Sequence, residues 1–402
     1  MSKWRNYQLQ EIAEITMGQS PKGEFTNENG VGTPLLNGPT EFQSRFPMPV
    51  KYTTDPKKIA MKGDILWCVR GSTVGRRNFA DQKYAIGRGL ASIRSKYGQS
   101  HTEFIGMLLD FKLKHILSGA TGSTFPNISK EQLYKFEFQL PDLEQQMKLA
   151  EILITFDNKI EINRQINETL EEMAMAIYKH WFVDFGPFQD GEFIESELGM
   201  IPKGWEIHSI YDLADYINGK AFKTKDLHEQ GSLPVIKIAE LKSGISQNTK
   251  YYNGDYHIKH EINNGDVLFA WSASLGVYLW SKGKAMLNQH IFNVQPKNGT
   301  IGKSFIYFML KRLIEKFVQI AASRATTMGH ITKEHLVNEK ITLPPYEIFE
   351  EIQEKLNEYY KLIVSNSKEL EQLINTRNYL LPKFLSGEID LSRTEEKVGN
   401  GM

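Results

Sequence analysis

With one cysteine, Cys68, in 402 residues, the chain has no internal disulfide and no thiolate zinc cage, which fits a reducing cytoplasm. No run of about 18 apolar residues is present to span a bilayer, and the polar start Met1-Ser2-Lys3-Trp4-Arg5-Asn6 has no secretory apolar region. No HExxH motif occurs among the ten histidines. Net charge is also missing, with 48 Lys/Arg against 48 Asp/Glu. That balance conceals segregation. Residues 1–140 carry 19 basic against 12 acidic residues, and residues 201–343 carry 18 against 12. Residues 141–200 carry 4 against 13, and residues 344–402 carry 7 against 11. The basic blocks suit a polyphosphate partner, whereas the acidic blocks would repel DNA and suit basic protein surfaces.

What the sequence does contain, it contains twice. A shift of 201 to 203 positions lays Trp4, Leu9, Ile12, Ala13 and Gly18 on Trp205, Ile210, Leu213, Ala214 and Gly219. It also lays Gly63-Asp64-Ile65-Leu66-Trp67 on Gly265-Asp266-Val267-Leu268-Phe269, and Ile128-Ser129-Lys130-Glu131 on Ile331-Thr332-Lys333-Glu334. The hydrophobic frame repeats while the polar residues diverge, with Arg70-Gly71-Ser72-Thr73 facing Trp271-Ser272-Ala273-Ser274. A duplicated frame with different surfaces predicts two readers of different targets.

Within each basic block, short apolar runs (Ile65–Val69, Leu90–Ile93, Val235–Ile238, Val267–Trp271) read as strands. Each block adds one clear helix, Glu103–Leu117 and Ser304–Ala321. The acidic blocks contain stretches of about 40 and 35 residues with no Gly or Pro. Leu149, Leu153, Phe156, Ile160, Asn163, Asn167, Leu170, Ala174, Ile177 and Trp181 recur there at steps of four and three. The second series is Ile352, Leu356, Tyr359, Ile363, Asn366, Leu370, Leu373, Arg377, Leu380 and Phe384. These are heptad seams. Asn163 and Asn366 hold equivalent places, so an antiparallel pair would bring them together and fix its register. The predicted fold is α/β plus coiled coil: two pseudo-twofold-related α/β domains separated by a pair of long antiparallel helices. The boundaries fall at 1–141, 142–200, 201–344 and 345–402.

Catalytic motifs are mimicked without their chemistry. Leu343-Pro344-Pro345-Tyr346 resembles an amino-methyltransferase motif, but Leu343 cannot accept hydrogen bonds from a target amine. Asp142 and Asp157 match the letters of a nuclease motif, but on one helix they lie about 22 Å apart, too far to share a metal. Gly87-Arg88-Gly89 lacks phosphate-loop spacing. The chain reads as a recognition part with no catalytic residues and no metal site.

Several strings together resemble the specificity subunits of type I restriction–modification systems. Leu143-Glu144-Gln145-Gln146, Phe156-Asp157-Asn158-Lys159-Ile160-Glu161-Ile162-Asn163, Ile166-Asn167-Glu168-Thr169-Leu170-Glu171 and Trp181-Phe182-Val183-Asp184-Phe185-Gly186-Pro187 are similar to the family's central conserved region. So is Ile201-Pro202-Lys203-Gly204-Trp205, and Leu380 to Ile389 resemble the distal region. The resemblance implies two target-recognition domains, each reading half of a split site on double-stranded DNA, with the helices as a ruler. It implies no cofactor on this chain. S-adenosylmethionine would sit on two modification subunits that methylate adenine N6, and ATP with Mg on restriction subunits, usually two. Alternatives are a coiled-coil scaffold joining two protein-binding domains, and a self-contained methyltransferase or nuclease.

No base-contacting residue is carried over from the family, so the candidates rest on side-chain chemistry. In the first domain they are Gln19, Ser20 and Lys22, then Arg70, Ser72, Thr73, Arg76 and Arg77, then Arg88, and Ser123 with Thr124. In the second they are Lys220, Lys223 and Lys225, Ser272 and Ser274, Gln289 and His290, and Arg324, Thr326 and Thr327.

Overall fold

The computed structural model describes residues 4–113, 127–322 and 329–389. The chain folds as two compact units, Met1–Lys159 with Ile374–Met402, and Ile160–Leu373. Among the described residues four helices exceed ten residues: α1 (Gln99–Phe111), α2 (Leu143–Phe182), α3 (Lys303–Ala322) and α4 (Tyr346–Leu385).

In the first unit, strands β1 (Ala13–Met17), β2 (Ile65–Cys68), β3 (Arg77–Phe79) and β4 (Leu90–Ser95) form an antiparallel sheet in the order β1-β4-β2-β3. Strand β2 is apolar at every position because both of its faces are covered. Ile65 and Trp67 pack with Phe104, Ile105 and Leu108 of α1, while Leu66 and Cys68 face Leu36, Tyr84 and Ile86. The latter residues belong to a five-stranded mixed sheet whose parallel pair is Thr33–Leu36 beside Tyr84–Ile86. Arg5–Gln8 pairs with Glu137–Leu140 where the domain opens and closes.

The second unit repeats this plan. Strands β5 (Ala214–Asn218), β6 (Val267–Ala270), β7 (Gly276–Leu279) and β8 (Ile291–Pro296) take the order β5-β8-β6-β7, with α3 on one face. A mixed sheet again has one parallel pair, Val235–Ile236 beside Met286–Leu287, and Glu206–Ser209 pairs with Lys340–Leu343.

The Gly-Asp pair that marks the repeat is structural. Buried Asp64 accepts from Met61 N (2.9 Å), Ser92 Oγ (2.7 Å) and Arg94 Nε (2.6 Å). Asp266 accepts from Asn263 N (2.8 Å), Gln295 Nε2 (3.1 Å) and Lys303 Nζ (2.6 Å). Each carboxylate fixes the turn into the central strand and ties it to the next one, and a buried charge is tolerated only with such partners.

Both long helices are 40 residues, and each contributes one part to each unit. In the first unit Leu149, Ala150 and Leu153 of α2 join Leu380, Leu381 and Phe384 of α4. In the second, Phe182 of α2 lies 6.2 Å from Phe349 of α4, ring to ring, and Asn163 meets Asn366. Inside each unit, then, the two helices run antiparallel, as the heptads predict. The expectation of a narrow seam is corrected: Ala150, Tyr178, Phe182 and Tyr360, off the seam, are buried as well. Towards their ends the helices pack on an α/β domain as well as on one another, which widens the apolar face. Helix α4 also runs through Pro382. So near its end the proline removes one hydrogen bond rather than breaking a long run.

The decoy carboxylates are accounted for. Asp142 Oδ1 accepts from Gln145 N (3.1 Å) at the start of α2, and Asp157 Oδ1 is bound by Arg377 Nη1 (2.6 Å). Among the described residues no group of His, Cys, Asp and Glu is placed to hold a metal, and no helix is long and apolar enough to cross a membrane.

Candidate nucleic-acid interface

In each domain three of the four loops chosen from the sequence, those among the described residues, converge. In the first, Gly18 N donates to Leu90 O (2.8 Å), Gln19 N to Ile86 O (2.9 Å), Gly87 N to Leu36 O (2.8 Å), Val69 N to Gly89 O (2.9 Å) and Ile128 N to Val69 O (2.9 Å). In the second, Gly219 N donates to Ile291 O (3.1 Å), Lys220 N to Leu287 O (2.8 Å), Asn288 N to Ile236 O (3.0 Å), Trp271 N to His290 O (3.3 Å) and Ile331 N to Trp271 O (2.8 Å). The two lists match bond for bond. A Cβ on Gly18 would lie 2.1 Å from Gly87 O, and one on Gly219 2.2 Å from Asn288 O, so both crossings require glycine.

These bonds correct one alignment made from the sequence. Val69, not Arg70, is the counterpart of Trp271, and Arg70 corresponds to Ser272. Gly71 (φ +80°) and Ala273 (φ +60°) then fall together in the left-handed region. Arg88 corresponds to Gln289 and Gln19 to Lys220.

The frames carry different chemistry. Arg70, Arg76 and Arg88 are exposed, and their guanidinium groups have no ion pair among the described residues. Ser20 lies inside the cluster, with its Oγ accepting from Arg88 N (3.2 Å); Ser72 and Thr73 sit in the loop between Arg70 and Arg76. Lys22 is exposed 3.7 Å from Glu24. Arg77 is directed elsewhere: its Nη2 meets Asp110 Oδ2 on α1 at 2.6 Å. Beneath the loop, burial pushes the Cys68 thiol up to about 12, which leaves it protonated and inert.

The second cluster is aromatic. Trp271 stacks on Phe292 (5.5 Å), lies 5.6 Å from the His290 ring and donates from Nε1 to Asn218 Oδ1 (3.2 Å). Ser272 and Ser274 form the adjoining turn, with Ser274 N donating to Ser272 O (2.7 Å). Gln289 is exposed beside His290. Lys220 turns inward, its Nζ bonded to Tyr252 Oη (2.7 Å) over that ring. Lys223 and Lys225 are exposed on the turn around Thr224–Asp226. Ser123, Thr124, Arg324, Thr326 and Thr327 lie outside the described residues.

Sequence reasoning misses Asn218, His260 and His330. His260 Nδ1 lies 3.2 Å from Asn218 O, and burial lowers its pKa. His330 bridges to Ser272, as Asn127 does to Arg70. One residue more at each end of the repeated motifs, before Gly219 and before Ile331, would have found Asn218 and His330.

A family model described as the type I restriction modification DNA specificity domain matches residues 1–172 and again residues 202–376. The chain belongs to this family. Among curated relatives, the type I restriction enzyme MjaIX specificity subunit of Methanocaldococcus jannaschii is 28% identical, with 84% of this chain and 80% of the relative aligned. The HindI specificity subunit of Haemophilus influenzae is 25% identical, aligned over 97% of this chain and all of the relative. A crystal structure of a type I restriction–modification S subunit from M. genitalium shares the fold, with TM-score 0.56 over 95% of this chain and 96% of that one at 16% identity. This type I specificity subunit is the recognition part of its system, not the catalyst.

Proposed function

We propose that this specificity subunit reads a split, asymmetric DNA site, one half with each α/β domain. The observation that carries this reading is the pair of matched loop frames with mismatched side chains. Two identical readers would call for a symmetric site; guanidinium groups on one frame and an aromatic cluster on the other call for different half-sites.

The helices set the distance between half-sites and dock two modification subunits. In support, Ile162 (54% exposed), Ile166 (43%) and Met173 (47%) leave an apolar stripe on α2, about a quarter turn round the helix from Asn163 and Asn167. The modification subunits bring S-adenosylmethionine and methylate adenine N6, and restriction subunits bring ATP and Mg, all in the cytoplasm. To test the reading, the modification subunit is assembled with and without this chain and incubated with genomic DNA, and the methylated adenines are mapped. Methylation at one bipartite sequence, only when the chain is present, is expected. Methylation by the chain alone, or a site unaffected by its presence, overturns the reading.

A further inference from the structure

We infer that Arg88 and Gln289 are equivalent base-reading side chains with different preferences, guanine in the first half-site and adenine in the second. This rests on the DNA-reading role proposed above and adds the identity of one base pair in each half.

Both residues occupy the same position of the same turn. Leu90 N closes the first turn on Gly87 O (3.0 Å), and Ile291 N closes the second on Asn288 O (3.2 Å). Each turn is anchored to the mixed sheet, through Leu36 O or Ile236 O, and faces the glycine crossing at Gly18 or Gly219. The first turn is packed tightly around its backbone. A Cβ at Gly87 would lie 2.3 Å from Asn37 Oδ1, and one at Gly89 would lie 2.4 Å from Asn37 O. Arg88 is thus flanked by glycines pressed against Asn37, and its own side chain is exposed with no ion pair among the described residues. In the second turn His290 takes the place of Gly89 and lies against Trp271, while Gln289 is exposed, its Nε2 3.4 Å from His290 Nε2.

A fixed backbone carrying an exposed polar side chain suits base reading, where a small displacement loses the contact. A phosphate contact places no such demand on its backbone. The planar fork of a guanidinium matches guanine O6 and N7, whereas a carboxamide offers the donor and acceptor that adenine N7 and N6 require. The other equivalent pairs are less telling: Lys220, opposite Gln19, is bonded to Tyr252, and Ser272, opposite Arg70, belongs to a residue type that pairs with several bases.

The test exchanges the two side chains in the complete modification assembly, as Arg88→Gln and Gln289→Arg. Both positions are exposed, and unchanged thermal melting confirms that the variants fold. Methylated sites are mapped on genomic DNA, and binding is measured to randomised duplexes at several salt concentrations. Arg88→Gln is expected to change one guanine of the first half-site to adenine, with preference for the original base falling roughly 10- to 100-fold and the second half-site unaltered. Gln289→Arg is expected to change one adenine of the second half-site to guanine. An unchanged recognition sequence, with uniformly weaker binding and a salt slope smaller by about one unit, would mark a phosphate contact and overturn the inference. In that outcome the wild-type assembly still methylates a bipartite site, so the proposed function stands. An assembly with no site-specific methylation at all would sink both.

Discussion

His101, at the start of α1, is fully buried and bonded through both ring nitrogens. Nδ1 lies 2.8 Å from Ser95 Oγ and Nε2 2.8 Å from Gln146 Oε1. Since Gln146 Nε2 donates to Pro141 O, its oxygen faces the ring and takes the Nε2 proton. Burial holds the His101 pKa below its ordinary 6.5, and the Gln146 bond offsets this only in part. Between that lowered value and 6.5 the unfolded chain binds a proton that the folded chain refuses. Stability should therefore fall as pH drops through 6.5 and be level above about 7.5. Urea unfolding at pH 7.5 and 5.5 checks this, and His101→Gln should flatten the difference; an equal slope in the variant would assign it to other groups. Individual residues were the least legible part of the sequence. Arg77 and Lys220 have the composition of DNA contacts but are claimed by Asp110 and Tyr252, partners far away in the chain. The slip that paired Arg70 with Trp271 has a simple cause: the repeat shift is 201 at Gly18, 202 from the central strand through Arg70 and 201 again at Arg88, and nothing in the letters marks the changes.

At the scale of elements, the heptads foretold both helices and their antiparallel pairing, because a period of three and four survives wherever one face is covered. The detail at the asparagines differs from the symmetric meeting that the sequence suggests. Asn366 Nδ2 donates to Asn163 O (2.7 Å) and Asn167 Oδ1 (2.9 Å), and Asn167 Nδ2 donates to Ser367 Oγ (3.0 Å). Asn163 Nδ2 is buried with no partner. The two residues should therefore respond oppositely to the same substitution. Asn163→Leu removes an unsatisfied amide and should raise stability by roughly 1 kcal/mol, whereas Asn366→Leu strands Asn167 Oδ1 and should lower it by about 1 kcal/mol. Denaturant midpoints of the two variants check the signs; a shift in the same direction for both would show that the network is not as drawn.

For the whole molecule, the duplication visible in the sequence returns as a duplicated topology, and the repetition extends to a parallel pair in each mixed sheet that the sequence does not reveal. The two frames make the domains exchangeable. Replacing residues 1–140 with the same segment of a relative should alter one half-site and leave the other, as read by methylation mapping. A change in both, with the protein folded, would count against independent readers. The antiparallel seams imply that the second helix returns the chain to the first domain, and both long helices are indeed divided between the units. Leu380, Leu381 and Phe384 complete a core begun by Tyr7 and Leu9, whereas every residue of the other unit lies between Ile160 and Leu373. On the ribosome, where the chain emerges in order, the domain that starts first must therefore finish last. Its apolar strip on α2 waits uncovered while more than two hundred residues are made and the later unit closes ahead of it. For that interval the nascent protein exposes the surface of an unfinished core.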